Sequence, residues 1–261
     1  MAILEVKGLT KTYTTRLGAQ KVHALKGVEF SAEKGEFIAI MGESGSGKTT
    51  LLNILAALDS ATSGQVLLDG RELSRVRDRE RAAFRRDHLG FVFQDFNLLD
   101  TFTVRDNILL PLVLQNRKVE EMEKRLAPLI ASLGLSGLEQ KYPWEISGGQ
   151  KQRTCVARAL ITRPDLLLAD EPTGALDSRA SQKLMALFEE INRAGQTILM
   201  VTHSAQAASS SGRVLFIKDG MVYNQMYRGK MSREAFYQKI MTSMAVMTSP
   251  ASEIEVGGEE E

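Results

Sequence analysis

Gly42-Glu43-Ser44-Gly45-Ser46-Gly47-Lys48-Thr49 fits the phosphate-cradling pattern GxxxxGK(S/T) at every fixed position. Its flanks give the match a context. Phe37-Ile38-Ala39-Ile40-Met41 before it is a short β-rich apolar run, and Thr50-Leu51-Leu52-Asn53-Ile54-Leu55 after it opens a helical pattern, so the loop joins a strand to a helix. Glycine at 42, 45 and 47 lets successive N–H groups turn toward phosphate oxygens, and the positive helix end adds to their field. Lys48 can reach the β- and γ-phosphates, and the Thr49 hydroxyl can ligate Mg²⁺. Glu43, Ser44, Ser46 and Thr50 complete the candidate nucleotide contacts of this stretch. A glycine-rich turn that binds nothing would leave the lysine unexplained.

Working outward, three more apolar runs end in groups with chemistry. Leu166-Leu167-Leu168-Ala169-Asp170-Glu171 reads as a buried parallel strand closing on two carboxylates. Asp170 is placed to hold Mg²⁺ through water, and Glu171 to polarise an attacking water as general base. The run at 197–202 ends at His203, on the side where open α/β sheets bind ligands; a structural histidine is the simpler alternative. Leu89-Gly90-Phe91-Val92-Phe93 ends at Gln94, whose carbonyl oxygen suits Mg²⁺ or water, although one glutamine decides nothing alone. Ile146-Ser147-Gly148-Gly149-Gln150 leads into a helix at 151–160 and offers a second anion site from a hydroxyl, two glycines and free helix N–H groups. An ordinary serine-glycine cap explains the same residues.

The remaining elements are coarser. Residues 3–6 and 28–31 alternate as half-buried antiparallel strands, separated by Tyr13 and a polar loop at 14–20. Tyr13 can stack on a base or simply pack; the residue alone leaves both open. Residues 64–68 read as a strand before a tight Asp69-Gly70 turn, and the basic cluster at 71–86, laced with acids, as a solvated helix face. Residues 95–102 are apolar but punctuated like a loop. A helix at 119–133 is expected to break at Pro128 and close at Gly134, another spans 178–194, and 214–223 form a hairpin. An amphipathic helix at 232–244 carries Phe236, Ile240 and Met244 on one face, and disorder is expected from 248.

The 261 residues, 43% hydrophobic and 25% charged, have room for one α/β domain with an appendage, not for two nucleotide-binding domains. A net charge of +1 argues against any general attraction to nucleic acid. The amino terminus lacks a signal-peptide pattern and no apolar run approaches the ~18–20 residues of a membrane span, so a cytoplasmic location is expected. The single cysteine, Cys155, excludes an internal disulfide and reads as a small apolar packing residue.

In chain order these features, from about residue 3 to 223, resemble the nucleotide-binding subunit of an ABC transporter. The stretch 146–150 resembles that family's signature, usually begun with leucine. The resemblance implies a P-loop NTPase core of mostly parallel sheet and helices, an antiparallel β subdomain and an α-helical signature subdomain at about 95–163. All three fall in a nucleotide-binding domain at 1–228, followed by a helical extension at 229–247 and an acidic tail at 248–261. It implies ATP and Mg²⁺ as ligands and two copies paired head to tail. Each ATP then lies between Lys48, Thr49, Gln94, Asp170, Glu171 and His203 of one copy and Ser147, Gly148 and Gly149 of the other, with Gln150 beside them. Catalysis falls to Glu171, His203, Gln94 and Lys48, and metal binding to Thr49, Gln94 and Asp170. Tyr13 resembles the adenine-stacking aromatic and Asp177 a dimer-facing aspartate, while Ser204 replaces a common aspartate with little effect expected.

A finer likeness rests on Tyr142-Pro143-Trp144-Glu145, residues 93–101, residues 169–177 and Phe216-Ile217-Lys218-Asp219-Gly220. These resemble subunits of bacitracin-type peptide-resistance transporters, within a group that includes lipoprotein-release and macrolide-export ATPases. The implied partners are a membrane permease, contacted through the apolar surface at 96–112, and a sensor histidine kinase acting through it; the subunit would sit on the inner face of the membrane. Lipoprotein or drug export and ATP-driven signalling are the alternatives.

Overall fold

The computed structural model describes residues 2–14 and 21–248; the loop beyond Thr14 and the acidic tail after 248 lie outside them. The chain opens with two long strands, β1 (Ala2–Thr14) and β2 (Lys21–Glu33), which run well past the stretches legible at 3–6 and 28–31. Gly8 and Gly27 take φ of 54° and 98°, and the register shifts between Val6 and Leu9. Alternation is thus broken by a bulge while pairing continues. β3 (Phe37–Met41) delivers the phosphate loop into α1 (Lys48–Leu55). β4 (Ser63–Leu68) and β5 (Arg71–Glu72) form a hairpin turned at Asp69 and Gly70.

The charged cluster is not one helix. Its first two residues belong to β5, Leu73–Arg75 is a 3₁₀ turn, and only α2 (Asp78–His88) presents the expected solvated face, with Phe84 its one buried residue. After β6 (Leu89–Val92), the apolar stretch contains a helix that its loop-like punctuation hid, α3 (Val104–Leu114). Thr103 caps it by accepting from Asp106 N at 3.1 Å. Val104, Ile108, Leu109 and Leu112 are buried in the core, so these four correct the expectation of an exposed apolar surface through 96–112. α4 (Val119–Ser132) continues through Pro128. The ring removes one hydrogen bond, but Leu126 and Ile130 anchor the helix on both sides of it.

The rest alternates strands and helices: α5 (Gly148–Leu160), β7 (Leu166–Asp170), α6 (Ser178–Arg193), β8 (Ile198–Val201), α7 (Ala205–Ala208), β9 (Arg213–Lys218), β10 (Met221–Tyr227) and α8 (Arg233–Thr248). Phe236 and Ile240 of α8 are fully buried, on the face expected.

Two sheets result. One is antiparallel, in order β2-β1-β4-β5; the other runs β10-β9-β3-β8-β7-β6, parallel except for β10. Side-chain alternation divides the central strands between two cores. Phe37, Ala39, Met41, Leu167, Ala169 and Met200 face helices α3 to α8, whereas Ile38, Ile40, Leu166, Leu168 and Leu199 face α1 and the antiparallel sheet. Because β3, β6, β7 and β8 run in parallel, their carboxyl ends share one edge, where such sheets bind ligands.

Candidate active site

The phosphate loop leaves β3 at Met41 and can tolerate no side chain at two of its glycines. A Cβ on Gly42 would lie 2.2 Å from Ile217 O, and one on Gly47, at φ 102°, 2.5 Å from Ala24 O. The β9–β10 turn braces the loop through Gly220 N to Ser46 O at 3.1 Å, a support the sequence did not announce. Lys48 Nζ donates to Gly42 O at 2.8 Å and Glu43 O at 2.7 Å, so the ammonium lies across its own loop. Burial lowers its pKa, while Glu171 and Asp170 pull it back up. The Ser46 hydroxyl is buried with no partner, a polar atom left over inside the cradle. Thr49, in the first turn of α1, and Gln94, after β6, are both exposed.

Glu171 follows β7 with φ 43°, held by Glu171 N to Val201 O at 2.9 Å. Its Oε1 is 2.8 Å from His203 Nδ1, and its Oε2 is buried without a partner. His203 therefore orients the carboxylate and leaves one oxygen free for another group. Asp170 has its pKa raised, first by burial and then by the charge of Glu171. Gln94 packs over the next turn: a Cβ on Gly174 would lie 3.1 Å from its amide carbon. Lys48, Gln94, Asp170, Glu171 and His203 are thus one neighbourhood. Tyr13, at the end of β1, donates to Asp59 Oδ2 at 2.8 Å with Thr50 in hydrogen-bonding reach, and Lys11 Nζ lies 4.8 Å from its ring. Tyr13 is 41% exposed, so it has surface to offer a base.

Ser147 caps α5. Its Oγ accepts from Gln150 N at 3.3 Å, and Gln150 Oε1 accepts from Ser147 N at 2.7 Å. Ser147, Gly148, Gly149 and Gln150 line a separate cleft of about 490 Å³ together with Arg153, Asp177, Arg179 and Lys183. Asp177 caps α6, accepting from Ala180 N at 2.7 Å. None of Lys48, Asp170, Glu171 or His203 lines that cleft. One chain therefore holds two anion-attracting places that do not meet.

The family model for ABC transporters matches residues 25–174, which contain the loop, the serine-glycine cap and both carboxylates. This chain belongs to the ABC transporter family, as an ATP-binding subunit. The ABC subunit is 47% identical over 248 residues to the bacitracin export ATP-binding protein BceA of Halalkalibacterium halodurans, covering 95% of this chain and 97% of that protein. It is 47% identical to the ABC transporter ATP-binding protein YxdL of Bacillus subtilis, covering 97% of each. The macrolide export ATP-binding/permease protein MacB of Neisseria meningitidis is 43% identical over 85% of this chain, which spans 34% of that longer protein. Among solved structures, the dimeric ATP-binding cassette MJ0796 in a post-hydrolysis state with ADP and Pi superposes with a TM-score of 0.77 at 40% identity, covering 86% of this chain and 98% of that one. The ABC subunit binds and hydrolyses ATP. No helix among its described residues is long and apolar enough to cross a membrane.

Proposed function

We propose that this ABC ATPase hydrolyses ATP with Mg²⁺ to drive a membrane permease that protects the cell from bacitracin-like peptides. Glu171 carries the chemistry: His203 holds Oε1, and Oε2 takes a proton from the attacking water. Lys48 leaves its loop carbonyls for the β- and γ-phosphates, and Tyr13 stacks on adenine. The hydroxyl of Thr49, the carboxylate of Asp170 and the carbonyl of Gln94 form an all-oxygen donor set that fits Mg²⁺ beside the phosphates. Among the described residues no three His, Cys, Asp or Glu side chains gather as a preformed metal cage; Asp170 is the one carboxylate of this donor set, and Mg²⁺ is commonly bound through one or two carboxylates plus substrate phosphates. The metal would neutralise charge on the phosphate oxygens.

The two separated anion sites favour a head-to-tail pair of copies, with Ser147, Gly148, Gly149 and Gln150 of one copy meeting the γ-phosphate held by the other. The permease contact belongs in an open cleft of about 430 Å³ lined by Phe91, Phe93, Leu110, Pro111 and Leu114, reached from the inner face of the membrane. A sensor histidine kinase coupled to that permease fits the same reading. Near-full-length likeness to a bacitracin export ATP-binding protein is the observation that carries the substrate class.

The test is the inhibitory concentration of bacitracin for a deletion strain complemented with wild type or Glu171→Gln. Rescue by wild type alone supports the reading. Equal sensitivity in all three strains rejects peptide resistance and moves the assignment toward lipoprotein or drug export.

A further inference from the structure

Helix α5 carries more than its serine cap. Gln152, Cys155 and Arg158 recur every three residues along it. Gln152 is fully buried, and its amide nitrogen donates to Phe93 O at 3.2 Å and Pro172 O at 2.9 Å. The Cys155 thiol donates to Phe96 O at 2.9 Å. The Arg158 guanidinium spans two carbonyls, Phe96 O at 3.0 Å and Asn97 O at 2.6 Å. Phe96 and Asn97 hold φ of 62° and 50°, a consecutive left-handed pair that residues with a Cβ rarely keep without support. Gln94 stands between these anchor points, and Pro172 follows Glu171.

We propose that Gln152, Cys155 and Arg158 are positioning residues for ATP hydrolysis, fixing the backbone on both sides of Gln94 and tying it to the Glu171 turn. Gln94 and Glu171 then move with the helix whose first turn begins at Ser147. A change at the serine end is passed to the hydrolytic end as motion of one rigid element. The inference rests on the roles given above to Gln94 and Glu171.

The experiment compares Arg158→Gln, Arg158→Lys, Cys155→Ala and Gln94→Ala in the full chain. Arg158→Gln lowers kcat by about tenfold to a hundredfold, as misplacement of a reacting group does, while KM for ATP changes by less than about twofold. Arg158→Lys gives an intermediate kcat, because an ammonium cannot fork over two carbonyls. Cys155→Ala, which removes only the sulfur, costs about fivefold, the worth of one neutral hydrogen bond.

A second readout needs no turnover. Cys155 is the only cysteine and is buried, so without nucleotide it reacts faster with a thiol reagent in Arg158→Lys, which keeps the positive charge beside the thiol but not the two-carbonyl fork, than in wild type. An unchanged kcat in Arg158→Gln, a KM raised as much as kcat falls, or an unchanged thiol rate overturns the proposal. If Gln94→Ala keeps full kcat while Arg158→Gln loses it, the coupling to Gln94 is wrong. If both keep full kcat, the role given to Gln94 fails with it.

Discussion

Glu171 has little freedom. Its backbone is left-handed and hydrogen-bonded to Val201, one carboxylate oxygen is on His203, and the other is buried and unpartnered. A buried acceptor without a donor costs about 1–3 kcal/mol, which is consistent with a site arranged for a bound water. In Glu171→Gln the amide oxygen can still accept from His203, so geometry survives and basicity is lost. Phosphate release should fall by about 10²–10⁴-fold with ATP affinity retained; near-normal turnover would remove Glu171 as the base. Asp170 beside it gives a pH signature. Its folded pKa is raised by burial and by Glu171, so the folded state binds its proton more tightly than the unfolded chain does. The resulting cost is absent below the unfolded pKa, grows as pH rises, and is complete above the raised folded value. Asp170→Asn should therefore raise Tm at pH 7 without nucleotide, by a margin that shrinks as pH falls into the carboxylate range. A pH-independent margin would show that the charge is not the cause.

At the scale of elements, the entry into α3 depends on one side chain. Asn107 is fully buried; its Oδ1 accepts from Leu99 N at 2.8 Å, and its amide nitrogen donates to Leu99 O, Phe102 O and Thr103 O at 3.0–3.1 Å. Asn107→Ala strands several of these groups and should cost about 3 kcal/mol, read from the urea midpoint at constant m; a loss below about 1 kcal/mol would mean that water replaces the side chain. This element also marks what a sequence hides. The strands β3, β7 and β8 were legible because a central parallel strand is apolar throughout. The loop and both carboxylates were legible because their chemistry is written in consecutive residues. α3 was not, since Pro111 and the unbroken run Ile108-Leu109-Leu110 blur the helical period, and the Thr103 to Asp106 cap was the overlooked signal. Gln152, Cys155 and Arg158 escaped for another reason: their partners are backbone carbonyls distant in sequence, which no local pattern records. Polar side chains on the inner face of α5 were the available hint.

At the scale of the whole molecule, the proposed head-to-tail pair requires two separate anion-attracting places, on two copies, to act on one nucleotide. The Ser147 cleft is lined by Arg153, Arg179 and Lys183, none in an ion pair among the described residues, and Arg153 Nε is buried without a partner. These three cations outweigh the one carboxylate of the cleft, Asp177, so the cleft beside the helix amino terminus favours an anion, and in the head-to-tail pair proposed above the γ-phosphate of ATP on a second copy would supply it. ADP lacks that group, so the differential contact vanishes with hydrolysis. Glu171→Gln, which retains ATP, should therefore sediment as a dimer with ATP and as a monomer with ADP. The association should weaken as salt rises from about 0.1 M to about 1 M, because the Debye length falls from about 10 Å to about 3 Å. Arg179→Ala with Lys183→Ala should lower the dimer fraction at low salt and flatten that salt dependence, since fewer charges remain to screen. A species that stays monomeric with ATP at every salt concentration would leave the Ser147 cleft without its anion and break the head-to-tail reading, while the phosphate loop kept its own.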